Sequence, residues 1–192
     1  MGDYFSYEAG PLANKLGIND PDLLKEIEAK IVMLRLIELE ESPLEGNFDF
    51  DHLCRIHHFL FSDIYDFAGQ IRDVRLAKGS SVFCYPENLE SAQHAIFTKL
   101  KRDKLLMGLS QEEFVTKLAH LSGELIALHP FREGNGRTSR VFLKELTSNA
   151  GYDLKYEDVD ASRLLEADIA AFNGDLNPLM NVLSAIVSPI VG

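Results

Sequence analysis

Tryptophan is absent from the chain and cysteine nearly so: Cys54 and Cys84 are the only two in 192 residues. Two thiols in unlike surroundings cannot build the disulfide framework of a small secreted domain, so the expectation is a reduced cytoplasmic chain with both thiols free. No apolar run approaches the ~20 residues that cross a bilayer. The N-terminal Met1-Gly2-Asp3-Tyr4-Phe5-Ser6 has no basic stretch leading into an apolar one, which argues against a secretory signal and against a membrane partner. Positive charge is also scarce, with 19 Lys and Arg against 30 Asp and Glu and a net charge of −11. A surface that acidic repels phosphate backbones, so a nucleic-acid partner is not expected. What is plentiful is apolar content, 46% of the residues, enough for one domain with a proper core.

The apolar spacing is mostly helical. Asp20-Pro21 opens a helix with a capping side chain and a first-turn proline, and Leu24, Ile27, Ile31 and Leu34 follow at helical intervals. Pro43 and Gly46 break that run. A second helix starts near Asp49 and carries Leu53, Ile56 and Leu60 on one face. Between Gly69 and Pro86 the helical period fails. There Ile71, Val74, Leu76, Val82 and Phe83 flank Lys78-Gly79-Ser80-Ser81, the pattern of a short β-hairpin or flap. Leu89, Ala92, Ile96 and Leu100 restore the helical register. Ser110 with Glu113 three residues on is a capping box opening a helix striped with Phe114, Leu118, Leu121, Leu125 and Leu128. That helix must stop at about His129, because Pro130 disfavours helical geometry in the residue before it. Further helices are expected from Gly136–Thr138 to Gly151, over Ala161–Phe172, and over Pro178–Val187. The fold class is therefore all-α, a compact helical bundle with a small β-hairpin flap. Residues 1–47 are expected to form a helical segment packed on a core of residues 48–192.

The most informative stretch is His129-Pro130-Phe131-Arg132-Glu133-Gly134-Asn135-Gly136-Arg137-Thr138-Ser139-Arg140. It lies between the end of one helix and the start of the next. A helix N-terminus offers free N–H groups and partial positive charge, and glycines let an anion come close to the backbone. Gly134, Asn135 and Gly136 can form a concave run of N–H groups, and Arg137 and Arg140 share a helix face from which to reach successive phosphates. Glu133 can hold a Mg²⁺, which takes few protein carboxylates and completes its shell with phosphate oxygens and water. An imidazole ordinarily titrates close to neutrality, so His129 can accept a proton from an attacking hydroxyl. Taken singly, each residue has a plainer explanation: a helix-terminal histidine, a glycine turn, a core phenylalanine at 131, a solvated Arg132. Their conjunction points to transfer of part of a nucleoside triphosphate.

These twelve residues resemble the His-Pro-Phe-x-[Asp/Glu]-Gly-Asn-Gly-Arg-x-x-Arg signature of Fic-domain protein adenylyltransferases at every defined position. The resemblance extends upstream through Ile56-His57, Leu60-Phe61, Asp63–Gly69, Ile71-Arg72, Lys78-Gly79 and Val82-Phe83, and covers about residues 48 to 187. It implies a Fic-type helical fold. It also implies ATP as substrate with Mg²⁺, His129 as the base, Glu133 as the metal ligand, and Gly134, Asn135, Gly136, Arg137 and Arg140 on the phosphates. A flap carrying Lys78, Gly79, Val82 and Phe83 would hold an extended segment of a target protein by strand-like pairing, and AMP would pass to a Tyr, Thr or Ser hydroxyl there. The related Doc branch transfers phosphate and alters part of the glycine nest, which is intact here. Transfer of another group, such as UMP or phosphocholine, keeps the same residues, and a nucleotide-binding regulator would not require His129.

Many members of the family are restrained by a glutamate in the pattern [Ser/Thr]-x-x-x-Glu-[Gly/Asn]. Glu41–Asn47 has Glu45-Gly46 but Glu at the first position and Pro43 inside; Ser162–Ala167 has Glu166 but ends in Ala. Both are imperfect, so restraint by a separate small antitoxin-like protein is expected. His57 and His58 fall on a buried helix, where packing accounts for them.

Overall fold

In the computed structural model, residues 4–6, 11–78 and 81–190 are described, and they form two compact units. The first holds the described residues up to Leu89 together with Pro130–Thr138; the second holds Glu90–His129 and the chain from Ser139 onward.

In the first unit, strand β1 (Tyr4–Ser6) precedes helix α1 (Pro21–Glu41). The Asp20 side chain accepts the Asp22 and Leu23 amides, and Pro21 needs no partner in the first turn, so the helix begins where the sequence places it. Helix α2 (Phe50–Phe61) is capped by Asp49 and packs against α1, burying Leu53, Ile56, His57, Leu60 and Phe61. The extended segment becomes strands β2 (Arg75–Lys78) and β3 (Ser81–Val82), antiparallel with Ala77 opposite Val82 and Lys78 opposite Ser81. β1 adds to the outer side of β2 in parallel, Phe5 opposite Leu76, a third strand that three residues without a period did not announce. The buried Arg72 guanidinium donates to the Val74 and Cys84 carbonyls and so ties the base of the hairpin together.

In the second unit, helix α3 (Leu89–Arg102) leads to α4 (Gln111–Leu128), whose capping box is made as expected: the Glu113 amide donates to Ser110 Oγ and the Ser110 amide to Glu113 Oε2. Phe114, Leu118, Leu121, Leu125 and Leu128 are all buried. Helix α5 (Asn135–Asn149), whose residues up to Thr138 belong to the first unit, starts and ends slightly ahead of the Gly136–Thr138 start and Gly151 end anticipated from spacing. Strand β4 (Tyr152–Leu154), helices α6 (Ala161–Phe172) and α7 (Asn177–Ile186), and strand β5 (Val187–Pro189) complete it. β4 and β5 form a two-stranded antiparallel sheet with Leu154 opposite Val187. Val187, anticipated to end the last helix, thus opens a strand instead. The class is mainly helical with small sheets, and no described helix is long and apolar enough to cross a membrane.

Candidate active site

The loop that carries the motif is held by two side chains and one backbone amide. Asn135 braces it from within: the Phe131 N–H donates to Asn135 Oδ1 at 2.9 Å, and Asn135 Nδ2 donates to the Phe131 carbonyl at 2.7 Å. The Asn135 side chain is therefore spent on the loop, and its backbone N–H is what it offers an anion. His57 supports the loop from α2. Its ring stacks on buried Phe131 with centroids 3.9 Å apart, accepts the Gly69 N–H at Nδ1 (2.7 Å) and lies with Nε2 3.0 Å from the Glu133 carbonyl. An amide can only donate, so Nδ1 is the acceptor and Nε2 carries the proton to the carbonyl. Burial lowers the His57 pKa to about 4, with the nearby Arg137 charge acting in the same sense, which keeps the ring neutral. The third support is the Arg72 amide, which donates to the Pro130 carbonyl at 2.9 Å.

Gly134 sits at φ +76°, in the left-handed region, with Phe61 directly behind it. A Cβ there would lie 2.3 Å from Phe61 Cζ, so both the conformation and the close approach require glycine. The first backbone bond of α5 runs from the Thr138 N–H to the Gly134 carbonyl, and the Asn135, Gly136 and Arg137 amides ahead of it donate to nothing among the described residues. A Cβ at Gly136 would meet nothing within 4 Å, so the approach to these amides is clear on that side. The result is a bowl of donors at the head of a long helix, an anion site by its geometry.

Glu133 borders the bowl. Its Oε1 accepts the Gly134 N–H at 2.9 Å and lies 3.3 Å from Arg137 Nη2. Burial raises its pKa, while the Gly134 bond and the charges of Arg137 and Lys78 oppose that rise. Lys78, at the end of β2, is thus close enough to act on the site. Val82 is exposed on the flap and Phe83 is buried, so Phe83 can serve a docked segment through its backbone only; Gly79 lies outside the described residues.

Two of the expected site residues, His129 and Arg140, belong to the second unit. His129 ends α4 in a left-handed turn (φ +45°, ψ +60°), its N–H donating to the Leu125 carbonyl. A non-glycine residue there stores roughly 1 kcal/mol of strain, of the kind that gathers at functional sites. Arg140, one turn along α5 from Arg137, pairs with Asp168 Oδ2 at 3.6 Å; burial raises the Asp168 pKa and Arg140 opposes it.

Comparison with known proteins now decides the family. Residues 47–147 match the model of the Fic/DOC family. The chain belongs to the Fic/DOC family. It is 38% identical over 180 residues to the protein adenylyltransferase VbhT of Bartonella schoenbuchensis, covering 94% of this chain and 37% of that protein. It is 41% identical to the probable protein adenylyltransferase y4lH of Sinorhizobium fredii, covering 88% and 86%. The chain thus spans about a third of VbhT and most of y4lH. Among solved structures, the BepC protein of Bartonella tribocorum, with bound AMPPNP, superposes with a TM-score of 0.87 at 28% identity over 96% of both chains. A Fic domain from Bartonella quintana, with bound ADP, gives 0.87 at 28% identity over 95% and 94%.

Sequence reasoning read His57 as packing; it is also the bond that holds the motif loop. Nothing in the sequence singles out Glu28, and Tyr65 enters it only within the Asp63–Gly69 stretch of the resemblance. Glu28 Oε1 accepts from Arg137 Nη2 at 2.5 Å and its Oε2 accepts the Tyr65 hydroxyl. Only its burial on α1 could have signalled Glu28, and burial is not visible in a lone sequence.

Proposed function

We propose that this chain is a protein adenylyltransferase that moves AMP from ATP to a Tyr, Thr or Ser hydroxyl of a target protein. The observation that carries the reading is the bowl of open Asn135, Gly136 and Arg137 amides, braced on three sides and directly preceded in sequence by a strained histidine and a carboxylate. Names of relatives and nucleotides bound by structural neighbours support the same chemistry. The hydroxyl loses its proton to His129 as its oxygen bonds to the α-phosphorus; the bond from that phosphorus to the bridging oxygen breaks, and pyrophosphate leaves. The bowl and Arg137 hold phosphate oxygens in place before and during the step, and Arg140 exchanges Asp168 for the terminal phosphate.

Glu133 suits a Mg²⁺ that arrives with ATP. Among the described residues its Oε2 accepts no hydrogen bond and no group of three metal-ligating side chains occurs, so one carboxylate plus phosphate oxygens and water is the available donor set. The ion would neutralise charge on the phosphates. An extended target segment pairs with the flap through backbone groups near Lys78 and Val82. Restraint by a separate antitoxin-like protein fits the placement of the two in-chain glutamates: Glu45 and Glu166 are both exposed, and the carboxylate beside Arg140 is Asp168.

The test separates binding from transfer. His129→Ala should abolish labelling of a target by ATP while leaving nucleotide affinity within about threefold. Equal loss of both would make the histidine structural and remove the proposed base.

A further inference from the structure

Residues 69–72 lead toward the flap, residues 130–133 lead into the bowl, and the two stretches are joined at both ends. At one end the Gly69 N–H donates to His57 Nδ1 at 2.7 Å, and His57 Nε2 donates to the Glu133 carbonyl at 3.0 Å. The ring between them is fixed by its stack on Phe131, with centroids 3.9 Å apart and planes 13° from parallel. Its neighbour His58 lies with Nδ1 3.1 Å from the Ala68 carbonyl, so α2 holds the same turn twice. At the other end the Arg72 N–H donates directly to the Pro130 carbonyl at 2.9 Å. Gly69 is thus matched to Glu133 and Arg72 to Pro130, two stretches running in opposite directions with an imidazole as one of the rungs.

Arg72 carries the connection outward. Its buried guanidinium donates from Nη1 to the Val74 carbonyl at 2.6 Å and from Nη2 to the Cys84 carbonyl. Val74 stands just ahead of β2 and Cys84 just beyond β3, so the planar fork spans both strands where they leave the body. A residue that only closed the hairpin would need no bond to the motif loop. Arg72 has its backbone on that loop and its side chain on both strands. At the far end of β2 the Lys78 charge reaches Glu133, so the hairpin meets the site along its length as well as at its base. Buried hydrogen bonds in an unbroken series are the kind of connection through which ordering at one site reaches another.

We propose that Arg72 is a positioning residue of the transfer reaction: together with His57 it ties the flap to the motif loop, so that nucleotide bound on the 135–137 amides holds the flap in register for the target segment. The two reactants are bound by different parts of the chain, and transfer requires the attacking oxygen to be held close to the α-phosphorus. A hairpin free to swing at its base would present the target at varying distance from the phosphate. One tied at residues 69 and 72 presents it at a single distance.

The inference rests on the adenylyltransferase reading for its purpose, but its test needs nucleotide alone. Amide hydrogen exchange is followed with and without saturating Mg²⁺ and α,β-methylene-ATP, which the chain can bind but cannot cleave at the α-phosphorus. The reporter is the Phe83 N–H, which donates to the Leu76 carbonyl across the hairpin. In wild type, nucleotide should slow its exchange about fivefold, the lower end of ordinary coupling between sites. Arg72→Lys keeps the charge but puts one nitrogen in place of the fork, which cannot reach both carbonyls in that geometry. There the slowing should fall below about twofold while nucleotide affinity stays within about threefold, because a flap that opens only transiently contributes little to overall affinity. His57→Gln, which removes the stacked ring from the other rung, should weaken the slowing too, and it decides the matter if Arg72→Lys does not fold. Unchanged Phe83 exchange in wild type with nucleotide bound, or full slowing in a folded variant, overturns the proposal. So does a loss of affinity in step with the melting temperature, which would make Arg72 a packing residue. Binding without slowing overturns the coupling alone, whereas a wild type that binds no nucleotide overturns the functional reading as well.

Discussion

His57 should make the protein acid-sensitive for a reason visible in its hydrogen bonds. The ring is neutral with its proton on Nε2, because Nδ1 faces the Gly69 N–H; a second proton would set two N–H groups against each other in a buried site. Its folded pKa is about 4, against an ordinary 6.5 when unfolded. Between those values the unfolded chain binds the proton and the folded chain does not, so stability falls as pH drops below 6.5 and the loss is complete below 4. At 1.36 kcal/mol per pKa unit the whole effect is about 3 kcal/mol, and about 2 kcal/mol of it appears between pH 7.5 and 5. Glu133 works in the opposite sense. Its folded pKa is raised, so the folded chain holds the proton longer and acidification favours folding through that group. A comparison of variants isolates the histidine. Urea unfolding of wild type and His57→Gln at pH 7.5 and pH 5 should show wild type losing about 2 kcal/mol more than the variant over that interval. The imidazole resonances of His57 should meanwhile report a neutral ring at pH 5. Equal losses in the two proteins, or a charged ring at that pH, would refute the argument.

Gly134→Ala forces a Cβ to within 2.3 Å of a fully buried Phe61 ring and keeps a side chain at φ +76°. The clash and the left-handed conformation together should cost about 3 kcal/mol in urea unfolding, with nucleotide affinity falling in parallel. Adding Phe61→Leu should recover the clash and leave roughly 1 kcal/mol of backbone strain; no recovery would place the cost elsewhere. Asn135→Ala deletes both bonds to Phe131 and leaves a buried N–H without its acceptor, so it should cost about 3 kcal/mol and raise the KM for ATP well before the rate at saturation changes.

How much of this was legible in the residues depends on the range of the interaction. Helix starts written in one or two side chains, Asp20-Pro21 and the Ser110–Glu113 box, fall where the sequence puts them, because the cap and the helix it caps are neighbours. The motif is local too: a histidine at the end of α4, a glycine turn and the head of α5 all follow from twelve consecutive residues, although the Phe61 ring that excludes a Cβ at Gly134 comes from α2. β1, β4 and β5 were not legible, since strands of three residues carry no period and their pairing partners are distant in sequence. The same distance concealed Glu28, which meets Arg137 across 109 positions, and Tyr65, which meets Glu28 across 37; both look like ordinary surface and core residues until folded. His57 was read as core, which it is; that its two ring nitrogens bridge Gly69 to Glu133 is a fact of tertiary geometry.

Following the isotope decides the central claim most directly. Purified chain and an accepting protein are incubated in parallel with ATP labelled at the α-phosphate and ATP labelled at the γ-phosphate, with Mg²⁺ present. The account requires the α-label to remain on the protein, bound through a hydroxyl oxygen, and the γ-label to leave in pyrophosphate. A γ-label retained on the protein would mean phosphate transfer, and it would contradict the assignment of the 135–137 bowl to the phosphates of a departing pyrophosphate.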